Sequence, residues 1–439
     1  MKRTFCKLLA AVLILALIPF EAAFPVSAAY PELNDMTNRR GYSAPEIQSP
    51  CAFVMEMNTG TILYSKNADE PHAPASTIKS LTALVAVESG NLDDLVTFSE
   101  ASVTDIEEGG NNYDMRAGET MSLRSCLKIM MMASCNEAAY CIAEHLGGSL
   151  PGFAEMMNDR ARELGAVNSN FRNPHGLTDY EQYTTARDLA LIFAECVKNP
   201  VFMEVAAIES CCITDTSMSS YGYVYANHDK MMQPDSKYYR DYVRCGKTGF
   251  ITQAGNTLVT YASRDGMDIV CAILYGESYD NVYTDTIALC DFAFDSFSVA
   301  DTAELLREDI EAYIGESEIS CELSRVLVPE WVSEEDITGD VRTFEKTQDA
   351  VFAGNAMFLV EGRSTFCQFT AKPLGSDIVF EIPVTVTDNP EPVEAVSQEK
   401  EYTQEPVSLQ ISWIIAAAGF VIAAVFAVLY FAARRKLKN

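Results

Sequence analysis

Three short runs of this chain carry side chains that together can make a nucleophile. Ser76 and Lys79 lie three residues apart in Pro74-Ala75-Ser76-Thr77-Ile78-Lys79. On a helix that spacing puts both side chains on one face. At a helix start, the backbone dipole also favours the negative charge that develops on an attacking oxygen. A lysine that is partly desolvated and near other donors is neutral at working pH, and its free amine can take the serine proton. Taken alone, the same residues describe a capped helix with a surface lysine. Ser134-Cys135-Asn136 falls between two helical segments, and Lys247-Thr248-Gly249 falls on a strand leading into a sheet. Each of these reads singly as turn residues or a strand end. Their order and separation on one exported chain turn the pair Ser76 and Lys79 into a candidate catalytic centre.

The elements that must position these residues are legible as an α+β pattern. The segments 52–57 and 61–64 flank Asn58-Thr59-Gly60, which predicts a β-hairpin. A helix is expected from Pro74-Ala75-Ser76 to about Ser89, with Ile78, Leu81, Leu84 and Val85 at helical spacing and Gly90 as its stop. Residues 123–146 predict one or two helices ended by Gly147-Gly148, residues 153–164 another ended by Gly165, and residues 186–196 another. From Val243 onward the pattern changes. Residues 256–261 and 268–274 predict adjacent antiparallel strands, followed by a helix over about 281–297. The expectation is a catalytic domain over 45–299, its sheet covered by helices early and late, with a helical insertion in the middle. Residues 300–388 show mainly strand periodicity and predict a small all-β domain.

The two ends predict export and anchoring. Met1-Lys2-Arg3, the apolar stretch from Leu8 to Phe20 and the small residues Val26-Ser27-Ala28 have the form of a cleaved signal over 1–28, followed by an irregular segment over 29–44. Residues 389–408, rich in Pro, Glu, Gln, Ser and Val, predict a flexible stalk. A transmembrane helix is expected over 409–433. Its uncharged run from Trp413 to Ala433 reaches about 30 Å at 1.5 Å per residue. The basic tail over 434–439 then places the C-terminus in the cytoplasm and the catalytic domain on the outer side of the membrane.

A formal charge of -30 argues against a nucleic-acid partner, because phosphate binding needs a basic surface. Of thirteen cysteines, Cys141, Cys196, Cys271 and Cys290 lie inside apolar patterned segments, where a thiol behaves as a small hydrophobe. Most are expected to be buried and free, with Cys211-Cys212 left as a reactive or paired site. No Cys-x-x-Cys or His-Glu-x-x-His run proposes a metal, and no cofactor is expected. None of the four histidines has a spacing that suggests a triad. His175 is expected to shape a loop near the site, Arg187 and Asp188 to serve as ion pair or cap, and the Cys135 thiol to point away from substrate.

Together the three runs form the set that marks the penicillin-binding and β-lactamase group. Pro74 to Lys79, Asn173-Pro174-His175-Gly176-Leu177, Tyr183-Thr184-Thr185-Ala186-Arg187-Asp188 and Gly246-Lys247-Thr248-Gly249-Phe250 resemble the D-alanyl-D-alanine carboxypeptidases among the low-molecular-mass penicillin-binding proteins. The resemblance covers about residues 45–300; the β domain, stalk and anchor follow in the same order as in that family. It implies a β-lactamase/transpeptidase-like fold and an acyl-enzyme formed on Ser76, with Lys79 as base and Ser134 relaying the proton to the leaving amine. It also implies substrate contacts from Asn136, Lys247, Thr248 and Gly249, and an oxyanion hole from the backbone N–H groups of Ser76 and Phe250. The partners implied are peptidoglycan stem peptides ending in D-Ala-D-Ala, and β-lactams as covalent inhibitors. Some members carry an arginine near the position of Glu277, which Tyr275-Gly276-Glu277 does not offer. A β-lactamase is a weaker reading, since no Glu-x-x-Leu-Asn run lies between Ser134 and Lys247. A silent penicillin-binding sensor is the other alternative.

Overall fold

The computed structural model describes residues 35–37, 41–106, 111–113, 115–219, 222–321, 325–331, 337–346, 352–360 and 363–373. The expected signal segment, stalk, membrane helix and basic tail lie outside them. Among the described residues no helix is long and apolar enough to cross a membrane.

The expected hairpin is formed by the strands Cys51–Glu56 and Ile62–Lys66. The buried Glu56 carboxylate closes the turn between them by accepting from the Thr59 N–H at 2.7 Å. These strands begin a five-stranded antiparallel sheet whose spatial order continues with Met267–Gly276, Gly255–Arg264 and finally Val243–Ile251 at the edge. Side chains alternate across this sheet with a period of two. Cys51, Phe53 and Met55 enter one core with Val270, Ala272 and Leu274, while Ala52 and Val54 enter a second with Ile269, Cys271 and Ile273. Both faces are therefore covered, which explains why these strands are apolar throughout rather than alternating.

The first core is closed by the helices Lys79–Ser89, Leu123–Ala133, Asn136–Gly147, Leu150–Glu163 and Ala186–Lys198. The second is closed by Tyr279–Ser296, through Val282, Tyr283, Leu289, Cys290 and Ala293. Each fully buried large side chain, such as Phe53 or Phe193, contributes about 1.5–3 kcal/mol. Cys126, Cys135, Cys141, Cys196, Cys245, Cys271 and Cys290 are buried free thiols, as their apolar neighbours predict; Cys211 and Cys212 are free too, the second exposed.

The region after residue 299 differs from the expectation in two ways. Residues 302–314 form a helix, not a strand; among its described side chains Thr302, Leu306 and Ile310 are fully buried, the last two being its apolar ones. Two apolar positions one turn apart are too short a stripe to stand out against strand periodicity. The proposed boundary also cuts through the strand Phe297–Asp301. That strand pairs with Arg325–Pro329, and its Phe297 and Leu327 of the partner strand join the second core. Beyond it lies a four-stranded antiparallel sheet in the order Ser317–Cys321, Arg363–Pro373, Phe352–Val360, Ile337–Lys346.

Candidate active site

Ser76 sits on a tight turn that the sequence pattern does not separate from the helix. Ala75–Ile78 is a 3-10 turn, and the α-helix starts only at Lys79. Ser76 makes no cap bond to this helix; its hydroxyl instead reaches the His175 carbonyl at 3.5 Å, the carbonyl that Lys79 also engages. The turn is wedged from two sides. Ala75 adopts φ +48°. A Cβ on Gly176 would stand 2.0 Å from the Ala75 carbonyl oxygen, and one on Gly249 would stand 2.8 Å from the Ser76 nitrogen. Only glycine allows backbone this close. Pro74 is pinned as well, its carbonyl accepting from Thr77 Oγ1 at 2.6 Å and from Thr257 Oγ1 at 3.1 Å.

Lys79 is wholly buried, and its Nζ lies 2.8 Å from Ser76 Oγ. It donates to Asn136 Oδ1 at 2.8 Å and to the His175 carbonyl at 2.6 Å. Burial, reinforced by the charge of Lys247, holds the amine well below its ordinary value. A neutral amine has two hydrogens and one lone pair. The two carbonyl oxygens take the hydrogens, which leaves the lone pair for the Ser76 hydroxyl to donate into. This arrangement is a general base at hydrogen-bond distance from its nucleophile.

Asn136 is aimed at Lys79 by a break between helices. Leu123–Ala133 ends at Ser134 in the left-handed conformation (φ 59°, ψ 30°), and the next helix begins at Asn136. Ser134 and Asn136 are both 2 % exposed. The buried Glu137 holds the break together. It accepts from the Cys135 thiol at 3.2 Å and from the Tyr113 N–H at 2.7 Å, so that thiol does turn away from the cleft.

Lys247 enters from the edge strand. Cys245 belongs to the first core, and alternation puts Lys247 and Gly249 on that same face, toward Ser76. Its Nζ donates to Ser134 Oγ at 3.1 Å and to the Thr248 carbonyl at 2.9 Å. Burial pulls the ammonium down to about 7 against the opposing charge of Asp229. Ser76, Ser134, Asn136, Thr248, Gly249 and Phe250 line one cleft of about 330 Å³. All the expected site residues thus meet: Lys79 and Lys247 beneath the cleft, the others along its wall. Among the described residues no arginine lines it.

His175 has the loop role expected of it, with one function that sequence reasoning missed. Its carbonyl, not its ring, engages Lys79. The ring stacks on Tyr140 and accepts from the Leu177 N–H at 3.2 Å, and burial, the larger cause, holds it down to about 3. Gly176 N–H donates to Asn173 Oδ1 at 2.8 Å and Thr82 Oγ1 to the Pro174 carbonyl at 2.7 Å, which fixes that carbonyl's direction. Asp229 was also missed; its buried Oδ2 has no hydrogen-bond partner and would lie 2.2 Å from a Cβ on Gly246. Burial pushes its carboxyl up to about 6. Arg187 and Asp188 stand apart from this chemistry. Arg187 donates to Asp69 at 2.7 Å, and Asp188 accepts from the Asn168 N–H at 2.7 Å.

Comparison with known proteins agrees with this geometry. Residues 38–278 match the family model described as D-alanyl-D-alanine carboxypeptidase. The chain is 28 % identical over 255 residues to the D-alanyl-D-alanine carboxypeptidase DacF of Bacillus subtilis, a match covering 57 % of this chain and 63 % of that one. It is 32 % identical over 225 residues to the D-alanyl-D-alanine carboxypeptidase DacB2 of Mycobacterium tuberculosis, covering 51 % and 73 %. A solved D-alanyl-D-alanine carboxypeptidase structure from Mycobacterium tuberculosis superposes with a TM-score of 0.53 at 28 % identity, covering 58 % of this chain and 94 % of that one. The chain belongs to the D-alanyl-D-alanine carboxypeptidase family of serine peptidases.

Proposed function

We propose that this chain removes the terminal D-alanine from peptidoglycan stem peptides through an acyl-enzyme on Ser76, and so limits cross-linking of the cell wall. The observation that carries the reading is the buried Lys79 amine, 2.8 Å from Ser76 Oγ, with Asn136 Oδ1 and the His175 carbonyl as its other two partners. Ser76 attacks the carbonyl between the two D-alanines while Lys79 takes its proton. The backbone N–H groups of Ser76 and Phe250 stabilise the oxyanion. Ser134 passes a proton to the leaving amine, the C–N bond breaks, and D-alanine departs. Water then resolves the ester. Lys247 and Thr248 hold the substrate carboxylate, Asn136 positions the substrate amide, and the peptide lies along the edge of the Val243–Ile251 strand.

The same site takes β-lactams as covalent inhibitors. An export signal over 1–28 and a membrane helix over 409–433 would keep the domain at the outer face of the cytoplasmic membrane, where stem peptides are found; the apolar run and the basic tail support this.

The test uses the full-length protein with a fluorescent penicillin and, separately, a peptide ending in D-Ala-D-Ala. Labelling at Ser76 and release of D-alanine are expected, both lost in Ser76→Ala. Rapid penicillin hydrolysis without peptide cleavage would mean a β-lactamase, and stable labelling with no turnover of either would mean a sensor.

A further inference from the structure

Apart from the catalytic cleft, three side chains with metal-binding atoms converge where the first strand begins. Cys51 Sγ lies 3.2 Å from His72 Nε2, and the same nitrogen lies 3.4 Å from Glu70 Oε1. All three atoms lie within 4.8 Å of one another. We propose that Cys51, Glu70 and His72 form a binding site for a borderline-soft divalent cation of the zinc class, with its exposed side left to water.

The donor set and the spacing both favour such an ion. A tetrahedral zinc with ordinary bond lengths separates a sulfur and a nitrogen ligand by about 3.6 Å, and a nitrogen and an oxygen ligand by about 3.3 Å. The two separations found here need to change by only a few tenths of an ångström. One thiolate, one imidazole and one carboxylate suit zinc rather than calcium or magnesium, which take oxygen ligands. Thiolate and carboxylate together also neutralise a doubly charged cation.

Two of the ligands are held before any ion arrives. Cys51 is fully buried in a strand and faces Leu274 of the adjacent strand. The His72 backbone bonds Thr184 in both directions, at 2.8 and 2.9 Å, and its ring stacks on Tyr275 at 4.7 Å. The intervening loop is tied down by Arg187, which pairs with Asp69 and whose N–H donates to the Ala68 carbonyl at 3.0 Å. Lys66, the nearest lysine along this loop, is engaged elsewhere, its Nζ donating to the Ile47 and Ser49 carbonyls at 2.8 and 2.9 Å. Glu70 is the exposed member, its side chain 56 % exposed, and lies on the open side from which an ion would enter.

Binding balances simply. The cation replaces the proton of the Cys51 thiol, one proton leaves to solvent, His72 coordinates through Nε2 with its proton on Nδ1, and Glu70 coordinates as the carboxylate. No electron is transferred. The ion would staple the first strand to the segment that leads, four residues on, into Ser76. No spacing rule finds this site, because Cys51 and His72 are 21 residues apart.

The test is a cobalt titration of full-length, chelator-treated protein, followed by displacement with zinc. One equivalent of cobalt is expected to bind and give the near-ultraviolet charge-transfer band of a thiolate ligand. The band should vanish in Cys51→Ser, and zinc should bind about 100-fold or more weaker in His72→Ala, since even outer partners of a metal site count for 10–100-fold. Both variants should still be labelled by fluorescent penicillin, which shows that they are folded independently of metal. Glu70→Gln, at an exposed position, serves as a third variant and should weaken binding without loss of the band. A band of undiminished strength in Cys51→Ser would place the metal on other thiols and overturn the proposal, as would absence of one-to-one binding in the unaltered protein.

Discussion

Replacing Lys247 by methionine should stabilise the fold while disabling the site. The side chain is 2 % exposed, and its ammonium titrates at about 7 instead of 10.5. At about 1.4 kcal/mol for each factor of ten, holding that charge in the folded protein costs on the order of 4 kcal/mol at pH 7. Methionine removes the charge but leaves Ser134 Oγ and the Thr248 carbonyl without their donor, a loss of about 1 kcal/mol each. A net gain of about 2 kcal/mol at pH 7 follows. The sign is set by proton uptake. Below pH 7 both folded and unfolded chains hold the proton and the cost is complete. Between about 7 and 10.5 only the unfolded chain holds it, so the unaltered protein gains stability as pH rises, and above 10.5 the cost is gone. Lys79 relaxes in the variant because a neighbouring charge is lost, which acts in the same direction. The assay is urea unfolding of both full-length proteins from pH 6 to 10. The variant's advantage should be largest near pH 6–7, fall by about 1.4 kcal/mol per pH unit above it and change sign between about pH 8 and 9. A difference that stays constant from pH 7 to 10 would refute the buried charge as its origin.

Three further outcomes follow from the same geometry. Asn136→Ala removes one of the two carbonyl acceptors on Lys79, so acylation by a fluorescent penicillin should slow by about 100-fold or more; an unchanged rate would mean that the contact does not orient the amine. Peptide cleavage should decline above about pH 7 through a rising KM as Lys247 loses its proton, whereas Lys247→Arg, which keeps its charge, should carry that alkaline limb upward. Gly249→Ala puts a Cβ 2.4 Å from Thr257 Oγ1 and 2.8 Å from the Ser76 nitrogen. It should cost about 1–3 kcal/mol of stability and abolish labelling, and normal labelling would show that the turn has room to move.

Much of this site was legible because its chemistry is carried by side chains at fixed spacings. The one-turn spacing of Ser76 and Lys79 shows in the residues themselves, while the convergence of Ser134, Asn136 and Lys247 on them was what the resemblance to the penicillin-binding group implied. Backbone contributions were less visible. The His175 carbonyl that completes the Lys79 cradle leaves no mark in residue type, and neither does the 3-10 turn that lifts Ser76 off the helix. Glu137 and Asp229 look like ordinary surface acids until the chain closes over them. In the fold, the sheet and helices around it were read well because their apolar runs are long. The helix 302–314 was missed because the buried apolar pair Leu306 and Ile310 makes too short a stripe, and the strand 297–301 because its partner lies beyond it at 325–329.

The left-handed backbone at Ser134 limits how the centre can evolve. Threonine is the chemically closest replacement for a relay hydroxyl, yet a β-branched residue is a steric outlier at φ 59°. Asparagine tolerates that backbone but brings an amide in place of a hydroxyl. A lineage under antibiotic selection therefore has few single-residue routes at this position: the chemistry permits threonine and the chain geometry does not. Resistance by drift in this wall of the cleft would first require the break between the two helices to be rebuilt.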